Sequence, residues 1–201
     1  MRKNTRSHKG KSILGFPDSY VVIDIETTGF SPFSCDVIEI GAAKVINNSI
    51  TDVFQSLIRC DNRLPRQIVA LTGITDALIA AEGRDADEVM RDLDLFIGDS
   101  VLVGHNVSFD LNFLYDYYER YLHKPLVNDH ICTMRLARKV IQGLPSYKLA
   151  VLTNAFKLDN KGAHRALNDV YVTNDLYRAL RDMLALKGQV GKETSWLTIF
   201  N

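Results

Sequence analysis

Cysteine is scarce: Cys35, Cys60 and Cys132 are the only three, and none forms a C-x-x-C pair. An odd count without paired spacing argues against a disulfide framework of the kind that holds small secreted domains together. No apolar run approaches the roughly 20 residues that cross a bilayer. The basic opening MRKNTRSHKGK is followed by no apolar stretch that could form the core of a secretory signal. These absences exclude a membrane partner and point to a reducing cytoplasm. Net charge is also lacking, because 24 Lys and Arg balance 24 Asp and Glu. Composition therefore carries none of the basic excess that flags nucleic-acid binding. Five of the basic residues lie in the first eleven positions, so the rest of the chain carries five more acids than bases. A cluster of metal-binding carboxylates would contribute to that excess.

What is present is enough for one globular domain: 201 residues, 46% hydrophobic and 24% charged. Residues 1–17 are polar, basic and aperiodic and read as a disordered arm. The domain is expected over 18–187. A tail over 188–201 carries Trp196, Leu197, Ile199 and Phe200, apolar residues that dock on a partner or fold back on the domain. The run SYVVIDIE from Ser19 is rich in β-branched and aromatic residues and stops at Thr27-Thr28-Gly29, as a buried strand closed by a turn would. DVIEIGAAKV from Asp36 and SITDVFQSLIR to Arg59 form two further strands around the turn residues Asn47-Asn48.

Beyond Pro65 the spacing becomes helical. Ala86–Ile97 is the clearest amphipathic helix, stopped by Gly98 and followed by a short strand over Ser100–Val103. Helices are expected over Phe109–Leu122, Thr133–Ile141, Lys148–Phe156 and Ala166–Leu186, with a short strand over Leu126–Asn128. The fold class is therefore α/β: three antiparallel strands, then βα units, in a mixed sheet flanked by helices.

Three clusters can carry chemistry. In DIETTG, Asp24 and Glu26 stand two apart on a strand, so both carboxylates leave the same face near its C-terminal end. Two acids held that close need compensation, and a divalent cation such as Mg²⁺ or Mn²⁺, which prefers oxygen ligands, supplies it. A solvated strand end is the plain alternative. In HNVSFD, Asp110 falls in the first turn of a helix, where the dipole favours an acid for structural reasons as well. His105 and Asn106 add polar groups at a strand end, a frequent ligand position in open sheets. In AHRALND, His164 and Asp169 are five apart, about 140° around a regular helix. His164 is therefore placed on a loop before the helix and Asp169 within it.

Taken together, DIETTG, HNVSFD and HRALND resemble the three motifs of the DEDDh family of 3′-5′ exonucleases, over roughly Ser19 to Leu186. Within that family the chain looks most like the proofreading exonucleases of bacterial DNA polymerase III, as epsilon subunit or polymerase-embedded domain. The segment LTGIT, Leu71 to Thr75, is similar to the part of those proteins that contacts the terminal nucleotide. One departure is Cys132-Thr133, where many relatives have Asp-Thr.

The resemblance implies a ribonuclease H-like fold, two divalent metals held by Asp24, Glu26, Asp110 and Asp169, and His164 as general base. Two metals about 4 Å apart stabilise charge on the phosphorus oxygens and on the leaving 3′ oxygen. An imidazole near its ordinary pKa of about 6.5 accepts the proton of the attacking water. Thr27, Leu71, Thr72, Asn106 and Phe109 are expected to contact or wedge the last nucleotide, with Thr28 near its 3′ hydroxyl. Stacking on apolar faces suits sequence-independent binding, so a single-stranded or frayed 3′ end of DNA is the expected substrate, with a DNA polymerase as a possible partner. Two alternatives stand beside this reading: an RNA-trimming enzyme of the ribonuclease T or oligoribonuclease type, and a nucleic-acid- or polymerase-binding module without turnover.

Overall fold

A computed structural model describes residues 6, 9–159 and 162–190, with side chains described through residue 186. Its centre is β1 (Tyr20–Thr27), which pairs antiparallel with β2 (Val37–Ile46) and parallel with β4 (Leu102–Gly104). β3 (Ser49–Leu57) and β5 (His130–Cys132) complete a five-stranded sheet of order β3-β2-β1-β4-β5. The expected mixed sheet, three antiparallel strands followed by βα units, is the observed one.

Tyr20–Ile23 are all buried because helices cover both faces of the sheet, which is why the strand reads as a continuous apolar run. Alternation divides them. Val21, Ile23 and Ile25 pack with Leu93 of α3 (Ala86–Ile97) and Leu111 and Leu114 of α4 (Ser108–Tyr117). Tyr20 and Val22 pack with Leu136 of α5 (Thr133–Val140), Leu152 of α6 (Leu149–Phe156) and Val170 and Tyr177 of α7 (Ala166–Val190). A smaller cluster under α1 (Arg66–Thr72) and α2 (Asp76–Glu82) joins Ile38, Leu57 and Ile74. Fully burying one such aliphatic side chain is worth about 1.5–3 kcal/mol, so these clusters dominate the cohesion of the fold.

The hairpin closes as expected. Asn47 and Asn48 both take positive φ, 50° and 62°, the type I′ geometry whose twist matches the flanking strands and which Asn tolerates well. Gly41 on β2 sits where the start of α7 touches the sheet, and a Cβ there would stand 2.5 Å from Leu167 N. The last helix can descend onto β2 only because this side chain is absent.

Three expectations are corrected. Residues 9–17, read as part of a disordered arm, are docked: Ser12 bridges to His130 in parallel, Ile13 N donates to His130 O (2.9 Å) and His130 N donates to Lys11 O (2.9 Å). Ile13, Leu14 and Phe16 pack on the core, and Arg6 pairs with Asp116 at 2.6 Å. An open strand edge with unmet backbone groups and a few apolar residues were enough to hold a segment that looked too polar to fold. The strand over Leu126–Asn128 is instead a loop, and the fifth strand is His130–Cys132. Asn128 is used as a clasp, donating to Gly98 O (2.7 Å) and Ser100 O (2.9 Å). The helix over Phe109–Leu122 changes to π-helical winding over Tyr118–Leu122. The expected tail residues Trp196, Leu197, Ile199 and Phe200 lie outside the described residues, as do most of 1–8. No described helix is long and apolar enough to cross a membrane.

Candidate active site

Asp24 and Glu26 share a face of β1 with Tyr20 and Val22, the face that α7 covers. Asp110 enters from α4. Its chain reaches the helix through Asn106, which holds φ at 59° and whose carbonyl accepts from Phe109 N (2.9 Å). The Asp110 carboxylate is buried and its Oδ1 accepts Ile25 N–H (3.3 Å), which ties α4 to the central strand between the two acids. Asp169 enters from the first turn of α7, and its Oδ2 accepts His164 N–H (3.1 Å).

His164 lies on the loop before α7, as the spacing required, with its ring exposed and φ at 66°. Donor atoms of Glu26, His164 and Asp169 all lie within 4.8 Å of one another. Asp24 and Asp110 adjoin this trio electrostatically. Burial, then the charges of Asp110, Asp169 and Glu26, push the Asp24 carboxyl well above the carboxylate range. Burial, with Asp169 and Glu39 adding to it, raises Glu26 to about 8. Burial also raises Asp110 to about 8, although its backbone hydrogen bonds oppose the shift. Asp169 is raised as well, mainly by burial.

Four acids made this reluctant to ionise by burial and neighbouring carboxylates form a site that needs positive charge. The donor set of carboxylate oxygens and an imidazole fits a hard divalent cation. Oδ1 of Asp110 and Oδ2 of Asp169 each accept a backbone N–H, which orients the two carboxylates.

The expected substrate residues are less uniform. Phe109 is half-buried against Phe113 and faces Phe30 at 6.5 Å between ring centroids. Leu71 is 49% exposed at the end of α1. Thr72 is buried, its hydroxyl donating to Ile68 O and accepting from Ile74 N. Thr27 donates to Gly29 O, and Thr28 accepts from Asp36 N, so both hydroxyls shape the turn after β1. His105 is a structural link: Nε2 donates to Tyr147 O (3.0 Å), Nδ1 meets Thr133 Oγ1 (2.8 Å), and burial lowers its pKa to about 4.

Three residues escaped the sequence reading. Phe30 is 90% exposed beside Phe109, and its only signal was an aromatic next to Gly29. Glu39 is fully buried on β2, directly across from Glu26, and pairs with Arg165. An acid inside the apolar run VIEIGAAKV and a base next to His164 were the clues to that pair.

A mixed sheet whose central strand carries two half-buried acids, met by two buried acids and a histidine beside an exposed aromatic, suits a hydrolase of charged, ring-bearing polymers. Comparison with known proteins gives the class its family. Residues 21–177 match the RNase T model, described as exonuclease. The DNA polymerase III subunit epsilon of Aquifex aeolicus (strain VF5) is 34% identical over 191 residues, 95% of this chain and 94% of that protein. The PolC-type DNA polymerase III of Bacillus subtilis (strain 168) is 35% identical over 172 residues, 85% of this chain but 12% of the polymerase. Among solved structures, exonuclease X in complex with 5′ overhanging duplex DNA is 30% identical with a TM-score of 0.63, covering 84% of this chain and 92% of that one. The chain belongs to this exonuclease family and is a 3′-5′ exonuclease. Divalent metals are the usual cofactors of the family.

Proposed function

We propose that the chain removes nucleoside monophosphates one at a time from unpaired or recessed 3′ ends of DNA, in replication proofreading or repair in the cytoplasm. Asp24, Glu26, Asp110 and Asp169 hold two ions of Mg²⁺ or Mn²⁺, and His164 is the general base. The observation that carries this reading is that Glu26 of β1 and Asp169 of α7 bring ligand atoms within 4.8 Å of those of the exposed His164, with Asp24 and Asp110 coupled to the same carboxylates by charge. When bound, the ions activate water and stabilise charge on the phosphorus and leaving oxygens.

The protein's own groups do the rest. The carboxylates ionise as the cations bind, because the charges that opposed ionisation are then offset. His164 presents its ring to solvent while Asp169 fixes its backbone, so the imidazole can take the proton of the attacking water. Phe109 and Phe30 offer ring faces to the terminal bases, which supports sequence-independent recognition. DNA is favoured by the relatives, since exonuclease X is complexed with duplex DNA that has a 5′ overhang and the epsilon subunit belongs to a DNA polymerase. The span of 94% of that subunit also supports association with a polymerase.

The test is 3′-end degradation of labelled single-stranded DNA and of a matched RNA, with and without Mg²⁺ or Mn²⁺. It is run on the parent, Asp24→Ala and His164→Ala. Stepwise, metal-dependent shortening of DNA that both substitutions abolish is expected. Preferential shortening of RNA would replace the substrate, and no shortening of either would overturn the reading.

A further inference from the structure

We infer that Glu39 and Arg165 are positioning residues for this reaction, an ion pair between a buried carboxylate and a half-exposed guanidinium that fixes where α7 begins and so sets His164 and Asp169 against Glu26. The inference rests on the proposed roles of His164 and the four acids.

Glu39 is the one fully buried acid of the sheet face with a complete set of partners. Arg165 Nη2 donates to Oε1 at 2.8 Å and Arg165 Nε lies 3.1 Å from Oε2. Ala166 N donates to Oε2 at 3.0 Å, and Gln55 Nε2 to Oε1 at 2.8 Å. Burial works against its ionisation, yet the donors from Arg165, Ala166 and Gln55 hold the carboxyl below its usual range. The fork of a guanidinium on a carboxylate dictates angle as well as distance. A buried ion pair is a weak source of stability compared with apolar packing, and its better-attested contribution is to fix one arrangement against others.

The arrangement fixed here is the seat of the last helix. In the β1–β2 register, Glu39 stands opposite Glu26 and Gly41 opposite Asp24. The start of α7 rests on that row: Ala166 N is bonded to Glu39, and the backbone of Ala166 and Leu167 fills the space where Gly41 has no Cβ. Arg165 and Ala166 are the two residues that follow His164. Two more ties restrain the loop, from Asn168 Nδ2 to Gly162 O (2.7 Å) and from His164 N to Asp169 Oδ2 (3.1 Å). With the clamp released, the histidine and Asp169 lose their common reference to β1.

Packing alone does not ask for a charge at position 39. The Glu39 carboxylate opposes the ionisation of Glu26 and Asp169, which a neutral amide would not do. What the charge supplies is the grip on the guanidinium. A cleft of about 230 Å³ lined by Glu39, Gln55, Arg84 and Arg165 opens beside the pair, with room for a small cation to replace the arginine head group.

The experiment is steady-state kinetics on single-stranded DNA at saturating Mn²⁺ for Arg165→Ala, Arg165→Lys, Glu39→Gln, His164→Ala and His164→Ala/Arg165→Ala. Guanidinium ion is added to Arg165→Ala far below denaturing concentrations. Misplacement of catalytic groups by about 1 Å costs on the order of 100-fold. Arg165→Ala is therefore expected to lose about that much in kcat with KM within about threefold. Guanidinium should restore part of the loss. In the double variant the two losses should combine to less than their product, because part of the arginine effect acts through His164 and only the part that acts through Asp169 persists. Parental kcat in folded Arg165→Ala and Glu39→Gln, or a loss confined to KM, overturns the clamp, as do losses that multiply in the double variant. If Arg165→Ala does not fold, Arg165→Lys and Glu39→Gln decide by the same criteria. Full activity in His164→Ala overturns the catalytic reading instead, a result distinct from failure of the clamp.

Discussion

Acids of two kinds gather around β1 and β2 and meet opposite fates. Glu39 has its countercharge built in: Arg165, Ala166 and Gln55 surround it and hold it ionised. Asp24 and Glu26 on the neighbouring strand, with Asp110 and Asp169 from the helices, have no such partner, and burial, helped by neighbouring carboxylates, raises their pKa values. A buried acid with an internal partner is a structural fixture, whereas buried acids that repel one another are arranged for a cation from outside. The contrast turns on the sign of the shift, since burial alone does not separate the two groups.

The comparison breaks most visibly in activity. Asp24→Asn or Asp169→Asn should lose a factor on the order of 1,000 or more in kcat/KM, because metal-held stabilisation of the reacting phosphate is worth several kcal/mol. The same substitutions should leave the metal-free protein equally or more stable, since each removes an acid whose ionisation the fold opposes. Urea unfolding in chelator checks this, and a large loss of stability would contradict the reading.

Glu39→Ala should behave in the opposite way, destabilising the metal-free protein by about 1–3 kcal/mol, because it leaves the buried Ala166 N–H without its acceptor. An unchanged unfolding midpoint would remove the distinction between the two groups.

A third effect lies in pH. Folding raises Glu26 and Asp110 from ordinary values of 4.5 and 3.8 to about 8. Between those limits the folded chain holds protons that the unfolded chain has released. Their contribution to stability is therefore complete below about pH 4 and is lost as pH rises through about 8. Metal-free melting temperature should fall over that interval, less steeply in Glu26→Gln, and added Mg²⁺ should stabilise more at pH 8 than at pH 5. The smallest effect concerns the aromatics. Phe30→Ala and Phe109→Ala should each raise KM by about tenfold, at the low end of the 1–3 kcal/mol that stacking one base contributes, with kcat nearly unchanged.

Much of the architecture was legible along the chain because period and punctuation agreed. The run YVVID could only be a buried strand, Asn47-Asn48 a tight hairpin turn, and Ala86–Ile97 a helix ended by Gly98. The aperiodic residues 9–17 carried no such signal, and His130–Cys132 is too short to show a strand period. Their structure comes from pairing with each other, Ser12 beside His130, a contact between distant residues that no local pattern reports. At the site, the two-residue spacing of Asp24 and Glu26 and the five-residue spacing of His164 and Asp169 were enough to nominate the acids and to put the histidine on a loop. Thr27, Thr28 and Thr72 were nominated for substrate, and their hydroxyls are engaged in local turns.

Spacing within a strand or a helix turn decides which side chains share a face, because backbone geometry alone sets those periods. The pairing of Asp24 with Glu26, the hairpin of β2 and β3 and the placing of His164 outside the helix that holds Asp169 are of that kind. Which acid finds a partner is decided elsewhere. Glu39 and Arg165 are 126 residues apart, and only the descent of α7 onto Gly41 brings the guanidinium to the carboxylate. The charge state of each acid follows from that meeting, since burial and neighbouring charge are properties of the assembled fold.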